Sequence, residues 1–145
     1  MWGIPVGSAS GHWVNRTGRL QAARAFIENN LEWGGLNPAN AARALGISVR
    51  QLHLLFEPTG TTFSRYVLAR RLERARLALA DGTRRKVLDI AFSCGIESST
   101  VFYRAFRDAY GMNPTGYRRS LREREVARAA YSGTAEPRPE AVPLG

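Results

Sequence analysis

The sequence predicts an all-α fold, and three observations support this prediction. Apolar residues recur at helical spacing along most of the chain, and no convincing strand pattern is present. Two stretches, "GISVRQLHLLF" at 46–56 and "GIESSTVFYRAF" at 95–106, each follow a Gly-Ile pair with a serine that can cap a helix. Between them, "TTFSRYVLARRLERARLALADG" carries an unbroken helical pattern, which at 1.5 Å per residue makes a rod of about 28 Å.

The first third of the chain contains an irregular lead and two predicted helices. Residues 1–16 are rich in Gly and Ser and are expected to be irregular. "RLQAARAFIENNLEW" is an amphipathic helix whose apolar face consists of Leu20, Ala23, Ile27 and Leu31. "NPANAARAL" begins with Asn37 as cap and Pro38 at the first helical position, and it ends at a glycine.

The rest of the chain follows the same logic. In the long middle helix, about 61–81, the apolar positions are Leu68, Leu72, Ala75 and Leu79. "KVLDIAFSC" ends at a glycine, a serine-capped helix follows, and a short last helix is expected at about 113–120. Residues 122–145, with "SGTAEPRPEAVPLG" at their end, are expected to be disordered.

One unit of sequence occurs twice. Five features of the first copy recur in the second: a small alanine four residues before the turn, the Gly-Ile turn, a phenylalanine, a later glycine and a tyrosine six residues after it. The pairs are Ala42 with Ala91, Gly46-Ile47 with Gly95-Ile96, Phe56 with Phe106, Gly60 with Gly111, and Tyr66 with Tyr117. The offset runs 49, 50, 51, as expected for one repeated unit with two single-residue insertions.

Each copy has the sequence logic of a helix-turn-helix, at about 36–57 and about 86–110. The alanine permits close approach of two helices, and the glycine takes the left-handed turn at low cost. In such motifs the second helix enters the DNA major groove. Structural helical hairpins look alike, so the repetition is what favours DNA binding. We expect the second helices to bury two sets of side chains: Val49, Leu52 and Phe56 in the first, and Phe102, Phe106 and Ala109 in the second.

The charge of the chain favours a polyanionic partner. Lys+Arg 21 against Asp+Glu 12 gives a net charge of +9. Residues 58–121 hold twelve of the cations and five of the anions, so the positive charge is concentrated in the predicted folded part. Almost all of the cations are arginine, which suits phosphates and guanine edges. A GC-rich coding sequence or a merely basic, soluble surface is the alternative explanation.

Several classes of protein are disfavoured. A single cysteine, Cys94, permits no intrachain disulfide and is expected to be a small core residue rather than a reactive thiol. Two histidines and one cysteine make a metal site improbable, and no cofactor is expected. No apolar run approaches the roughly 20 residues that span a bilayer, and the start lacks signal-peptide features. A cytoplasmic location is therefore expected. No catalytic arrangement is evident, which disfavours an enzyme.

The two repeated stretches and the segment between them resemble a known family. "AARALGISVRQLHLLFEPTGTTFSRYVLARRLERARLALA", followed by "VLDIAFSCGIESSTVFYRAFRDAYGMNPTGYRR", is similar to the DNA-binding domain of AraC/XylS-type transcription regulators. The resemblance covers about residues 19–119, and we place the domain at 17–121. It implies seven helices, in two helix-turn-helix subdomains joined by the long linker helix. It also implies binding of double-stranded DNA near promoters, contact with RNA polymerase and, most often, activation of transcription.

The resemblance also implies which residues contact DNA. Those expected to read bases are Arg50, Gln51, His53 and Leu54 in the first helix, and Ser99, Thr100, Tyr103 and Arg104 in the second. Phosphate contacts are expected on separate grounds, from arginine charge and from the helix N-termini that the serines cap, at Ser48, Arg65, Arg71, Ser98 and Arg107. Arginine or lysine is common in the family where this chain has Leu54. A leucine can only pack against a thymine methyl or a sugar, so the first helix is expected to read DNA more weakly.

Two questions stay open at the level of sequence. Most relatives carry an effector-sensing domain before this one, and "LFEPTGTTF" resembles those relatives, so a fragment of a longer protein is slightly favoured over a stand-alone regulator. A helical module that binds protein or RNA is the alternative function. RNA binding would usually need a stacking platform or a basic single-strand groove, which the repeated unit does not provide.

Overall fold

The structure is a computed structural model that describes residues 16–82 and 84–133, and it is all-α within those ranges, as predicted. Seven α-helices and one short 3-10 helix, η1, follow one another without a strand in the described residues: α1 Arg16–Asn29, α2 Pro38–Leu45, α3 Val49–Phe56, η1 Glu57–Thr59, α4 Phe63–Ala80, α5 Val87–Ser93, α6 Ser99–Tyr110 and α7 Pro114–Gly133. The expectations of an irregular lead over 1–15 and of disorder over 134–145 lie outside the described residues. Arg16 already belongs to α1.

The repeated turn has the same hydrogen bonds in both copies. Gly46 and Gly95 are both left-handed, with φ of 70° and 94°. The N–H of the isoleucine that follows each glycine donates to the carbonyl of the equivalent alanine, Ala42 or Ala91, at 3.0 Å in both turns. This bond closes the end of the first helix and fixes where the second helix begins. The Gly-Ile pattern of the sequence therefore indicates two copies of the same turn, with the same hydrogen bond.

The later part of each unit is repeated as well. Each unit has a second left-handed glycine, Gly60 or Gly111, with φ of 79° in both. The rings of Phe56 and Tyr66 have centroids 5.6 Å apart, and those of Phe106 and Tyr117 are also 5.6 Å apart. In each unit, the tyrosine thus returns to cover the phenylalanine of the second helix, which anchors that helix to the element after it.

Each unit has its own hydrophobic core. The first core joins α1 to α3 with the start of α4, and its buried residues run from Ala23 to Val67. The second joins the rest of α4 with α5 and α6, and its buried residues run from Leu72 to Phe106. α4 therefore serves both units: its first half closes the first core and its second half opens the second.

Two residues that were expected in the core are exposed. Val49 is 39% exposed, and Ala109 also lies at the surface. In α3 the buried positions are Leu52, Leu55 and Phe56, which have the i, i+3, i+4 spacing of one helical face. Val49 is the first residue of the helix, one turn beyond that cluster, which makes its side chain available at the surface.

The last helix is much longer than expected. It was predicted over about 113–120 with disorder from residue 122, and this was wrong for residues 122–133, which continue α7 to Gly133. The segment "RRSLREREVARAA" consists almost entirely of strong helix formers, with neither Gly nor Pro to end it. Its side chains from residue 122 onward are exposed, so local helix preference rather than core packing accounts for the extension.

Candidate nucleic-acid interface

The N-terminus of α3 is held by a reciprocal cap. The Ser48 hydroxyl accepts from the backbone N–H of Gln51 at 3.0 Å, and the Gln51 side-chain oxygen accepts from the backbone N–H of Ser48 at 2.8 Å. This capping box satisfies two N–H groups that would otherwise lack a partner in the helix. The Gln51 carbonyl oxygen is thus engaged in the cap, while its NH₂ group has no part in the capping box.

The N-terminus of α6 is capped more simply. The Ser98 hydroxyl accepts from the backbone N–H of Val101 at 3.2 Å. Ser99 and Thr100, in the first turn, are exposed. Since the first turn of a helix carries N–H groups without helical partners and the positive end of the helix dipole, both caps are suited to lie near phosphates.

The exposed face of α3 carries both polar and apolar side chains. Arg50 and His53 are exposed, and Leu54 beside them is 41% exposed. Leu54 lines two depressions, of about 450 Å³ and 840 Å³, on either side of the helix. Its backbone carbonyl accepts from the guanidinium of Arg16 at 2.6 Å, which joins the end of α3 to the start of α1. Arg50 is the arginine of this face, and the exposed Glu57 that follows α3 adds an anion to the lining of the larger depression.

At two positions the exposed face of α6 carries arginines, whereas the equivalent positions of the first unit do not. Arg104 and Arg107 are both exposed. With the serine caps aligned, they occupy the positions of Leu54 in α3 and of Glu57, the first residue of η1. The two units thus share a scaffold but differ in charge on the face that each presents.

Tyr103 is only half-buried and is held from both sides. Its ring packs edge-on against Phe102, with centroids 5.9 Å apart, and its hydroxyl lies 3.4 Å from the hydroxyl of Thr115 on α7. The structure therefore fixes the orientation of this predicted base-reading residue through the last helix.

The two linker arginines that were expected to contact phosphates have different surroundings. Arg65 lies in the first turn of α4 with an exposed side chain. The Arg71 guanidinium instead donates to the carbonyls of Leu31 at 2.8 Å and Trp33 at 2.7 Å. Burial lowers the pKa of Arg71, an effect that the carboxylate of Glu97 opposes. Two of the three guanidinium nitrogens of Arg71 thus donate to main-chain carbonyls, which gives this residue a structural role beside the phosphate contact expected of it.

Comparison with known proteins agrees with this geometry. A family model described as a helix-turn-helix domain matches residues 41–120. The transcriptional activator RhrA of Rhizobium meliloti (strain 1021) is 38% identical over 102 residues, which make up 70% of this chain and 32% of that protein. An AraC-type regulator from Chromobacterium violaceum has a TM-score of 0.66 at 32% identity, over 72% of this chain and 93% of that one.

The chain belongs to the AraC/XylS family. The fold is also that of the DNA-binding domain of AdpA, solved in complex with a target DNA, with a TM-score of 0.65 at 22% identity over 73% of this chain and 95% of that one. In this double helix-turn-helix fold, α3 and α6 are the second helices of the two units and α4 is the linker. The chain spans about a third of the length of the curated relatives it matches.

Some residues of this AraC/XylS domain were missed from sequence. Arg16 was assigned to the irregular lead, yet it lies against α3, and together with Arg19 it lines the depression beside Leu54. The signal was present, since two arginines three residues apart lie on one side of a helix. The roles of Arg70 and Arg74, which contact Glu28 on α1, had no local signal because their partner is more than forty residues away.

Among residues 16–82 and 84–133, no group of three metal-binding side chains comes together. Within the same ranges, every helix is too short or too polar to cross a bilayer. Cys94 is a buried free cysteine, as predicted, and burial raises the pKa of its thiol.

Proposed function

We propose that this chain is the part of a transcription regulator that binds double-stranded DNA sequence-specifically, and that the regulator acts as an activator. One observation carries the proposal: the same capped, exposed helix is repeated at both ends of one linker helix. The family consists of DNA-binding regulators rather than enzymes, and the concentration of arginine in residues 58–121 supports a polyanionic partner.

The two recognition helices take successive major grooves of one duplex. α4 has 18 residues, a length of about 27 Å, and successive grooves on one face of B-DNA are about 34 Å apart. A linker of that length is comparable with this separation, and the two recognition helices pack against its two halves, α3 near its start and α6 beside its second half. A single chain therefore reads both half-sites.

The two helices read their half-sites with different chemistry. In α6, Arg104 pairs with a guanine edge, while Ser99 and Thr100 provide shorter hydrogen bonds. In α3, Arg50 is the main charged reader, and Leu54 packs on a thymine methyl. The second half-site is thus the stronger anchor, and the first is the more A·T-dependent. Remaining contacts to bases come from Gln51, His53 and Tyr103, and contacts to phosphates come from Ser48, Arg65, Ser98 and Arg107.

The full regulator is larger than this domain. Curated relatives are about three times the length matched here, which supports an effector-sensing domain elsewhere in the natural protein. RNA polymerase is the second macromolecular partner, since an activator must recruit or position it. The site of action is the cytoplasm, where a bacterial regulator that binds chromosomal DNA meets it.

Selection from a random duplex pool followed by fluorescence anisotropy tests the proposal. We expect a bipartite site bound at submicromolar Kd at low salt, with much weaker binding to scrambled duplex and to single-stranded RNA. An Arg50→Ala/Arg104→Ala double variant with unchanged circular dichroism is the control, and it should lose the preference for the selected site. Equal affinity for duplex DNA and single-stranded RNA would favour the RNA-binding alternative and contradict the proposal.

A further inference from the structure

The two helix-turn-helix units meet outside their hydrophobic cores. The buried residues of the first core end at Val67 on α4, and those of the second begin at Leu72. One turn of α4 lies between them. If that turn were the only connection, bending or twisting of α4 would change the separation of the two recognition helices.

Three arginines on α4 cross the boundary between the units. Arg71 donates to the carbonyls of Leu31 and Trp33, in the loop after α1. Arg74 donates to the carbonyl of Glu28 at 2.9 Å, and Arg70 forms an ion pair with the Glu28 carboxylate. The acceptors belong to the first unit, whereas Arg71 and Arg74 flank Leu72 of the second core. These bonds therefore fasten the C-terminal end of α1 and its following loop to the start of the second unit.

The turn of the second unit lies directly against the same loop. A Cβ at Gly95 would be 2.2 Å from the Leu31 carbonyl oxygen and 2.8 Å from Nε of Arg71, so only a glycine fits against this hydrogen bond. Two residues after this glycine, the Glu97 side chain approaches the same loop, since a Cβ at Gly34 would be 2.1 Å from its Oε1. The loop after α1 thus contacts both the linker helix α4 and the Gly95 turn, which orients α6.

We infer that this inter-unit contact, centred on Arg71, makes the distance between the two half-sites a specificity determinant. The inference rests on the proposed function. Arg71 is a positioning residue: it fixes the α3–α6 separation through the loop after α1 and the Gly95 turn. One extra base pair between half-sites moves the second groove by about 3.4 Å and rotates it by about 35°. A domain joined through α4, the loop and the turn at once cannot follow that change, so the DNA must deform instead.

The test measures affinity against spacing. Anisotropy is recorded with a duplex selected from a random pool and with versions that carry one base pair more or one fewer between the half-sites. For the unmodified chain, we expect affinity to fall roughly tenfold or more at either altered spacing. For Arg71→Ala, we expect the ratio between native and altered spacing to shrink to about threefold or less, because the two units can then adjust.

Arg65→Ala is the matched control on the same helix. It should weaken binding at all spacings by the same factor, because Arg65 takes no part in the inter-unit contact. Merely reduced folding of a variant would also lower all affinities alike, so the ratio of affinities separates positioning from stability. Should Arg71→Ala fail to fold, Arg71→Lys, which keeps the charge but cannot reach both carbonyls with one planar group, is measured instead.

Three results would overturn the inference. In the first, the unmodified chain binds the duplex with one extra base pair as tightly as the selected duplex. In the second, Arg71→Ala folds and still loses the same factor in affinity at altered spacing as the unmodified chain. In the third, Arg71→Ala does not fold and Arg71→Lys loses that same factor. Failure to select any duplex would instead contradict the proposed function, and the two failures are therefore distinguishable.

Discussion

The Tyr110 hydroxyl on α6 donates to the Glu73 carboxylate on α4, with Oη and Oε2 3.0 Å apart. The same carboxylate accepts from Nε of Arg76 at 3.0 Å, and Arg76 also donates to the Tyr117 hydroxyl on α7 at 3.3 Å. One carboxylate and one guanidinium thereby join the linker, the second recognition helix and the last helix. The hydrogen bonds from Arg76, and then that from Tyr110, hold the pKa of Glu73 at about 2, while burial and the bond to Glu73 raise the pKa of Tyr110 to about 12.

The Glu73 carboxylate makes stability depend on pH on the acid side. Its folded pKa of about 2 lies below the ordinary value of 4.5, so its contribution is present above pH 4.5 and is lost as pH falls towards 2. Glu73→Gln should cost about 1–2 kcal/mol at pH 7, since a hydrogen-bonded charged group is replaced by a neutral one. Urea unfolding at pH 7 and at pH 2.5 checks this, and the difference between variant and unmodified chain should shrink at the lower pH. An equal difference at both would exclude the Glu73 network as its source.

Arg71 and Arg65 should respond to alanine substitution in opposite ways. Arg71→Ala removes donors to two main-chain carbonyls and should lower the free energy of unfolding by about 1–3 kcal/mol. Arg65→Ala, at an exposed position, should change stability by less than about 0.5 kcal/mol yet weaken DNA binding. Thermal unfolding and anisotropy on both variants check the pair. A destabilised Arg65→Ala beside an unaffected Arg71→Ala would reverse these roles.

How far the sequence predicted this molecule depends on the range of the interactions. The Gly46 turn and its repeat at Gly95 are local, because each is set by a left-handed glycine and a nearby alanine, and both were predicted. The role of Arg71 was not predicted. Nothing in the neighbouring sequence distinguishes an arginine that binds phosphate from one that donates to a loop forty residues away. The length of α7 was predictable, because helix formers continue well past Tyr117. The predicted end of this helix was too early because the Pro-rich end of the chain was given too much weight.

Arg104 should be the largest single contributor to base recognition. Arg104 is exposed and lies six residues after the Ser98 cap of α6, and a bidentate pair with guanine supplies about 1–3 kcal/mol of discrimination. Arg104→Ala should therefore weaken the binding free energy for the selected duplex by that amount, and it should relax the preference at one base pair. Repeating the selection with the variant checks this. A uniform loss across all sequences would make Arg104 a phosphate contact.

Leu54 should read a methyl group. Replacing thymine by uracil throughout the first half-site removes only the 5-methyl groups and should weaken binding by about 1 kcal/mol for each methyl that Leu54 covers. The same replacement in the second half-site is the control. Leu54→Arg should raise affinity for duplexes in general, because it adds a cation beside the backbone. An unchanged or lower affinity would show that the apolar contact contributes more than the added charge.

The phosphate contacts should appear in the salt dependence of binding. If about six phosphates are neutralised, log Kobs should fall against log salt with a slope of about −5, because counterions released from the duplex dilute back into solution. Removing one phosphate-contacting cation should make the slope less steep by about 1. Arg107 on α6 and Arg65 on α4 are the two exposed arginines to substitute by alanine, one variant at a time.

Arg71→Ala is the informative comparison. Because the Arg71 guanidinium is bonded to the carbonyls of Leu31 and Trp33, the slope should stay that of the unmodified chain. Titration of each variant at several salt concentrations measures these slopes, and a drop of about 1 for Arg71→Ala would return that residue to the phosphate contacts.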